Sequence, residues 1–483
     1  MRYLALATDY DGTLAHHGAV DAATLEALRR VRASGRKLLL VTGRQMEDLA
    51  QVFPEVDIFD RVVAENGALI DVPGKSQTRL LAPPPAAPFV AALKKRGVEP
   101  LAVGQVVVAT VQPNETVALE VIREMGLELQ VIFNKGSVMI LPSSVNKATG
   151  LQAALDELQL SAHNVVGVGD AENDHAFLRV CECGVAVANA LDALKAGADY
   201  VTEGRASDGV RELADLLVRE DLRALDAKLA RHRIALGYVG DELVSISPYG
   251  PTLLIAGPSG KGKSTMVRGI LERLAKQRYQ FCVVDPEGDY DQLGIAVTLG
   301  SAERAPSVDE AVMLLRDPKE SVVINLVGLR VQERPGFFQA LLPRIQELRA
   351  ATGRPHWVVI DEAHHMRPES SGPVELTLPE TLASTILITV HPDRLATSVL
   401  DRVDGVIAIG SPTEVLRPFG QTTDGELSSG EAIVWFRKDG HPRRMRTLPG
   451  QIEQRRHPRN YAAGDLGPNA FYYRGPDGRL NPK

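Results

Sequence analysis

Short apolar runs alternate along this chain with stretches whose apolar positions return every third or fourth residue. Over roughly the first 215 residues, Tyr3–Ala7, Lys37–Thr42, Val62–Ala64 and Asn164–Gly169 read as buried strands. Between them, Asp21–Ala33, Gln45–Val52, Ala148–Leu158 and Ala171–Val180 read as amphipathic helices. Such alternation predicts an α/β unit, a parallel sheet covered by helices on both faces. The proline-rich stretch Ala82–Pro88 cannot continue a regular element, because proline lacks an amide donor and fixes φ. It reads as the hinge into an insert over 83–142, with element candidates at Val106–Val111, Glu115–Met125, Glu128–Ile132 and Ser137–Leu141. A small α+β cap is the expectation, leaving a core over 1–82 and 143–218.

From 219 to 236 the pattern is charged, with Leu222, Leu225 and Leu229 on one stripe, and a linker helix is expected. A second α/β unit follows over 237–447. Its strand candidates are Thr252–Ala256, Gln280–Asp285, Val322–Leu326, Trp357–Asp361, Thr385–Val390 and Glu431–Phe436. From Arg437 onward eleven Lys/Arg face four Asp/Glu, with Tyr461, Phe471, Tyr472 and Tyr473 among them. Residues 448–483 read as a basic surface arm; nucleic-acid binding there is the less favoured alternative.

Composition narrows the class. At 483 residues the chain allows about three compact units of roughly 150 residues. A formal charge of −7 gives no global attraction to nucleic acid or anionic lipid. Three cysteines make no disulfide framework, and Cys181-x-Cys183 has no partner pair for zinc, so buried thiols are expected. No signal-peptide layout and no apolar run near the ~20 residues of a bilayer span are visible. The expectation is a soluble, cytoplasmic protein without membrane partners.

Two constellations carry chemistry. Asp9-Tyr10-Asp11-Gly12-Thr13 follows the first apolar run. In extended chain, side chains two apart point the same way, so both carboxylates are expected to face one site. Thr42-Gly43-Arg44 ends the next strand and offers a hydroxyl to a phosphate oxygen. Lys147 precedes a helix and can neutralise phosphate charge, and Asp170, in Gly169-Asp170-Ala171-Glu172-Asn173-Asp174, adds a further acid. Ligands of open α/β sheets bind at such strand ends, and an oxygen-only cluster suits Mg²⁺.

In this order the motifs resemble those of the haloacid dehalogenase superfamily of phosphatases, Cof-type branch, over roughly residues 1–215. The resemblance implies a Rossmann-like core in which Asp9 is the nucleophile and Asp11 the general acid and base. It implies Mg²⁺ held by Asp9, the Asp11 backbone carbonyl and Asp170, with Asn173 and Asp174 as supporting groups. Ion-pumping relatives carry Thr where this chain has Asp11, which favours hydrolysis of a phosphomonoester. The insert is short for a Cof-type cap and closer to the small-cap phosphoglycolate or sugar-phosphate phosphatases.

In the second unit, Gly257-Pro258-Ser259-Gly260-Lys261-Gly262-Lys263-Ser264 lies between a strand candidate and a helical stretch from Thr265. This is a P-loop: backbone amides cradle phosphates, Lys263 reaches the β/γ oxygens of ATP and Ser264 ligates Mg²⁺. Trp357–Glu362 supplies the Walker-B strand, with Asp361 on the metal and Glu362 orienting the attacking water. The adjacent Asp-Glu pair favours an ATP hydrolase over a kinase. With Val283–Tyr290, Asp361-Glu362-Ala363-His364-His365 and Thr389-Val390-His391-Pro392, the unit resembles the HerA–FtsK division of ring-forming ATPases, over roughly 237–447. The resemblance implies a homo-oligomer, with Arg394, Arg402 or Arg417 placed to complete a neighbour's site. Thr389 or His391 stands where that division more often has Gln. The three histidines lack helical H-E-x-x-H spacing and are not read as a metal site. The barrel of HerA proteins has the phosphatase segment in its place, so DNA translocation is not implied.

The leading expectation is therefore a Mg²⁺-dependent phosphatase acting on a small phosphorylated substrate, fused to an ATP-binding and hydrolysing domain. Nucleic-acid end processing, and an ATP-gated assembly protein with a ligand-sensing phosphatase-like domain, are the alternatives.

Overall fold

The computed structural model describes residues 1–450 except 76, 227, 367–382 and 424, and the backbone of 472–474 and 480–482. The basic arm from 451 onward lies outside the described side chains.

An eight-stranded sheet organises the amino-terminal unit, in the order Tyr200–Val201, Cys183–Ala186, Val165–Gly169, Ala5–Thr8, Lys37–Val41, Arg61–Ala64, Leu69–Val72, Gln77–Leu80. The first six strands are parallel and the last two run antiparallel. The chain leaves Ala5–Thr8 toward one side and returns on the other, so a topological switch point lies at the carboxyl end of that strand. Its central strands are buried on both faces, which is why they read as unbroken apolar runs.

The cap is a four-stranded antiparallel sheet backed by helices Ala87–Lys95 and Glu115–Met125. The first helix begins inside the proline-rich stretch: Pro88 sits in its opening turn, where the missing amide costs nothing. Glu115–Met125 closes on Gly126 with φ +64°, a left-handed cap.

The linker helix expected over 219–236 is not formed. Helix Ser207–Glu220 stops because Asp221 and Leu222 adopt positive φ of 55° and 59°, and only a 3₁₀ turn, Arg223–Leu225, follows. The Asp221 carboxylate accepts from the amides of Arg2 and Tyr3 and from Arg36, which anchors the turn. Leu222, Leu225 and Leu229 still bury together in the first core, so the leucine spacing recorded a docked face and not a helix. The strand Ile234–Val239 then crosses the boundary expected at 237 and joins the second sheet.

That sheet has eleven strands. Its centre runs Gly405–Ala408, Thr252–Ala256, Thr385–Thr389, Trp357–Ile360, Phe281–Asp285, Val322–Asn325, all parallel. One strand, Thr385–Thr389, therefore separates the P-loop strand from the Walker-B strand. No helix among the described residues is long and apolar enough to cross a membrane.

Candidate active sites

Asp9, Lys147, Asp170 and Asp174 converge at the switch point. The Lys147 ammonium is fully buried and donates to Asp9 Oδ1 and Asp174 Oδ1, both at 2.6 Å. Asp174 Oδ2 accepts from the amides of Asp170 (2.8 Å) and Ala171 (2.9 Å), so both its oxygens are engaged. This close turn requires Gly169, where a Cβ would lie 2.7 Å from the Asp174 carboxyl carbon. Carboxylate oxygens of Asp9, Asp170 and Asp174 lie within 4.8 Å of one another. Burial, then repulsion from Asp174, holds the Asp9 carboxyl above the usual range, with Lys147 opposing. Burial likewise raises Asp170, offset by Lys135. Three crowded acids face two lysines, the buried Lys147 and the cap's Lys135, which leaves one acid in excess, and their all-oxygen donor set fits a divalent cation such as Mg²⁺.

Asp11 stands apart. The strand ends at Thr8, so the two-residue alternation does not extend to Asp11, which lies in the turn beyond with Gly12 at φ +82°. Its carboxylate is held bidentately by Arg44 at 2.7 Å, and Arg44 also reaches Asp48. Thr42 is buried, with Oγ1 accepting from the Arg44 amide. Asn173 donates to Asn66 Oδ1 at 3.0 Å. Gly43 lies under the cap residue Met139.

Two contributors carried no motif. Lys135, at the tip of a cap hairpin, places its ammonium on Asp170 Oδ2. Glu65 is fully buried, and its carboxylate accepts from the successive cap amides of Gln105, Val106 and Val107 at 2.8–2.9 Å. Glu65 and Asn66 both take positive φ, an unusual conformation for adjacent non-glycine residues and the one local hint that this turn is special.

The second site lies at the carboxyl edge of the other sheet. Gly257 has φ +150°, and a Cβ there would fall 1.8 Å from the Ile409 carbonyl, so only glycine fits. Pro258, Ser259, Gly260, Lys261 and Gly262 form the loop, and Lys263, Ser264 and Thr265 open the helix Lys263–Lys276. Lys263 folds onto its own loop, donating to the carbonyls of Gly257 (2.9 Å) and Pro258 (3.2 Å). Ser264 Oγ bonds Asp289 at 2.9 Å. Asp285 caps this acidic segment: it is buried and accepts from the amides of Glu287, Gly288, Asp289 and Tyr290. Burial, then Asp285 and Glu362, raises the Asp361 carboxyl. Glu362 sits at φ +44° with its carboxylate 3.1 Å from His364 Nδ1, which also meets the buried Thr389 hydroxyl. Thr389 pairs in register with Ala256, beside the P-loop. His391 packs edge-on to His364, and the His365 side chain lies outside the described residues. Arg394 and Arg417 are exposed and Arg402 half-buried. Cys181 and Cys183 are buried, as expected.

Comparison with known proteins agrees with this division. Residues 6–115 and 120–213 match the family model of haloacid dehalogenase-like hydrolases, and 251–351 that of the central domain of helicase HerA. A phosphoglycolate phosphatase of Methanothermobacter thermautotrophicus is 28% identical over 217 residues, covering 43% of this chain and 96% of the relative. That of Halorubrum lacusprofundi is 29% identical over 227 residues, covering 45% and 98%. Among solved structures, a haloacid dehalogenase-like hydrolase from Bacteroides thetaiotaomicron aligns at 19% identity and a TM-score of 0.39, over 44% of this chain and 99% of that one. The chain thus joins a segment similar to haloacid dehalogenase-like hydrolases to one similar to the central domain of helicase HerA.

Proposed function

We propose that the first unit hydrolyses a small phosphomonoester through a covalent intermediate on Asp9, and that the second binds and hydrolyses ATP. The observation carrying the first half is the buried Asp9–Lys147–Asp174 triad beside Asp170. Asp9 attacks phosphorus, and the P–O bond to the leaving group breaks as Asp11 protonates that oxygen; Asp11 then takes a proton from the water that cleaves the acyl phosphate. For this, Asp11 exchanges its pairing with Arg44 for the substrate. Thr42, Gly43 and Asn173 line the phosphoryl pocket, and Lys147 keeps Asp9 oriented. Mg²⁺, held by Asp9, the Asp11 carbonyl and Asp170 with Asp174 in support, would neutralise phosphoryl charge.

The cap sets the substrate. Lys135 comes down to Asp170, and Met139 lies over Gly43, so the leaving group is short. The Lys135 ammonium suits a second anionic group, as in the phosphoglycolate of the relatives. A panel of phosphomonoesters with Mg²⁺ tests this: phosphoglycolate-sized acids are expected to lead, and a preference for long or uncharged leaving groups contradicts it.

In the second unit Lys263, with the P-loop amides, takes the ATP phosphates, Ser264 and Asp361 its Mg²⁺, and Glu362 the attacking water. The domain is further proposed to self-associate, with Arg394, Arg402 or Arg417 of one copy completing a neighbour's site. Light scattering of Glu362→Gln with ATP is expected to show the oligomer. A strict monomer with full ATPase activity contradicts it.

A further inference from the structure

The two units are joined through a buried polar seam that runs between their sites. The helix that begins with the P-loop Lys263 ends at Gln277, whose carbonyl oxygen accepts from His163 Nε2 at 2.6 Å. His163 and Asn164 lead directly into the strand Val165–Gly169, which delivers Asp170 to the phosphatase centre. One helix and one strand, both regular elements, thus lie end to end between the P-loop and Asp170.

His163 is the junction. It is buried, with Nδ1 2.7 Å from Glu182 Oε2, so both ring nitrogens face oxygen partners. Tyr279 of the ATPase unit stacks on the ring at 3.7 Å between centroids and donates from its hydroxyl to Glu182 at 2.7 Å. Tyr249, also of that unit, donates to the His163 carbonyl at 2.8 Å. Arg2 completes the neutralisation of Glu182. His163, Glu182 and His232 stand close enough to suggest a metal. Both His163 nitrogens and both Glu182 oxygens are already engaged, which leaves the seam no ligand set to offer. Its chemistry is that of a fixed joint: a buried network with these partners satisfied is costly to break.

We propose that His163 is a positioning residue for Asp170, through which the nucleotide state of the P-loop sets the affinity of the phosphatase site. The proposal rests on the reading of both sites given above. Coupling between binding sites is reciprocal: if nucleotide changes the affinity for phosphate by some factor, phosphate changes the affinity for nucleotide by the same factor.

The test uses the full chain with Mg²⁺, inorganic phosphate or vanadate as the phosphatase-site probe, and a non-hydrolysable ATP analogue. The expected result is a change of about fivefold or more in probe affinity on adding the analogue, matched by an equal change in analogue affinity on adding probe. In His163→Ala, and in the milder Tyr279→Phe that keeps the stacked ring, the factor falls toward one, and the affinity of the phosphatase-site probe no longer responds to the analogue. A purely structural role would lower stability without abolishing the factor. Binding of both probes with a factor of one in the unaltered chain, or an unchanged factor in both variants, overturns the coupling alone. Failure of either probe to bind overturns the site reading, and the coupling with it.

Discussion

The two phosphate sites solve opposite electrostatic problems. In the first, Asp9 and Asp174 share the buried Lys147 and Asp170 takes Lys135, so three acids face two lysines and the site suits a cation. In the second, the loop supplies amide donors and Lys263, which meanwhile occupies itself with two carbonyls of its own loop. In the function proposed above, the first site takes a phosphomonoester that the cap selects, and the second takes a polyphosphate whose hydrolysis has to be timed.

The largest test of that contrast is Asp9→Asn. It removes the nucleophile and is expected to cost several orders of magnitude in phosphomonoester turnover while ATP hydrolysis persists. Steady-state assays of both reactions check it, and parallel loss of both would erase the distinction between the sites.

In the second site, Lys263→Ala is expected to weaken ATP binding severely, whereas Glu362→Gln keeps affinity and slows hydrolysis. Nucleotide titration beside turnover separates them, and equal loss of affinity in both would contradict the role given to Glu362.

A smaller effect is expected at the cap. Glu65→Gln replaces a carboxylate that accepts three amides with a group that presents a donor to one of them, at a cost of about 1–3 kcal/mol. Phosphatase kcat/KM is expected to fall about tenfold or more, mostly through KM, with ATPase activity unmoved. An unchanged KM would show that the cap does not depend on this clasp.

The smallest effect concerns the seam, where the buried His356 ring stands edge-on to His163 and its Nδ1 accepts from the Gln280 amide. Burial, with the nearby His163 and arginines, lowers the pKa of His356 well below its ordinary value, while the unfolded chain takes up that proton below about pH 6.5. Stability from this group is therefore present above pH 6.5 and declines as pH falls, by at most about 1.4 kcal/mol per pH unit. Glu182, raised by burial but pulled down more strongly by His163 and Arg2 to about 2, adds a loss only between pH 4.5 and 2. Thermal midpoints between pH 7.5 and 5 check the histidine: His356→Gln is expected to flatten the slope.

How far the sequence revealed each site follows from how each is built. The P-loop is contiguous and follows its strand directly, so Gly257–Ser264 was legible as one string. The phosphatase acids come from strand ends 161 residues apart in the chain, Asp9 to Asp170, and were legible only as an ordered set of motifs. Glu65 and Lys135 were not, because a carboxylate bonding backbone amides and a lysine on a hairpin tip have no residue pattern of their own. Asp11 was misjudged in orientation because the strand stops at Thr8. The strand Arg443–Thr447 was not legible because of its charge, nor the helix Arg334–Thr352 because of Pro343 within it. The seam at His163 depends on tertiary contact alone and left no trace.

The central claim, two chemically separate phosphate sites in one chain, is tested most directly by acid-quench trapping. The full chain is mixed with a phosphomonoester carrying labelled phosphate, or with ATP labelled in the γ-phosphate, then quenched and digested. Label from the phosphomonoester is expected on the peptide bearing Asp9, to vanish in Asp9→Asn, and to be unaffected by Lys263→Ala. Label from ATP is expected on no peptide; ATP-derived label on Asp9 would contradict the account.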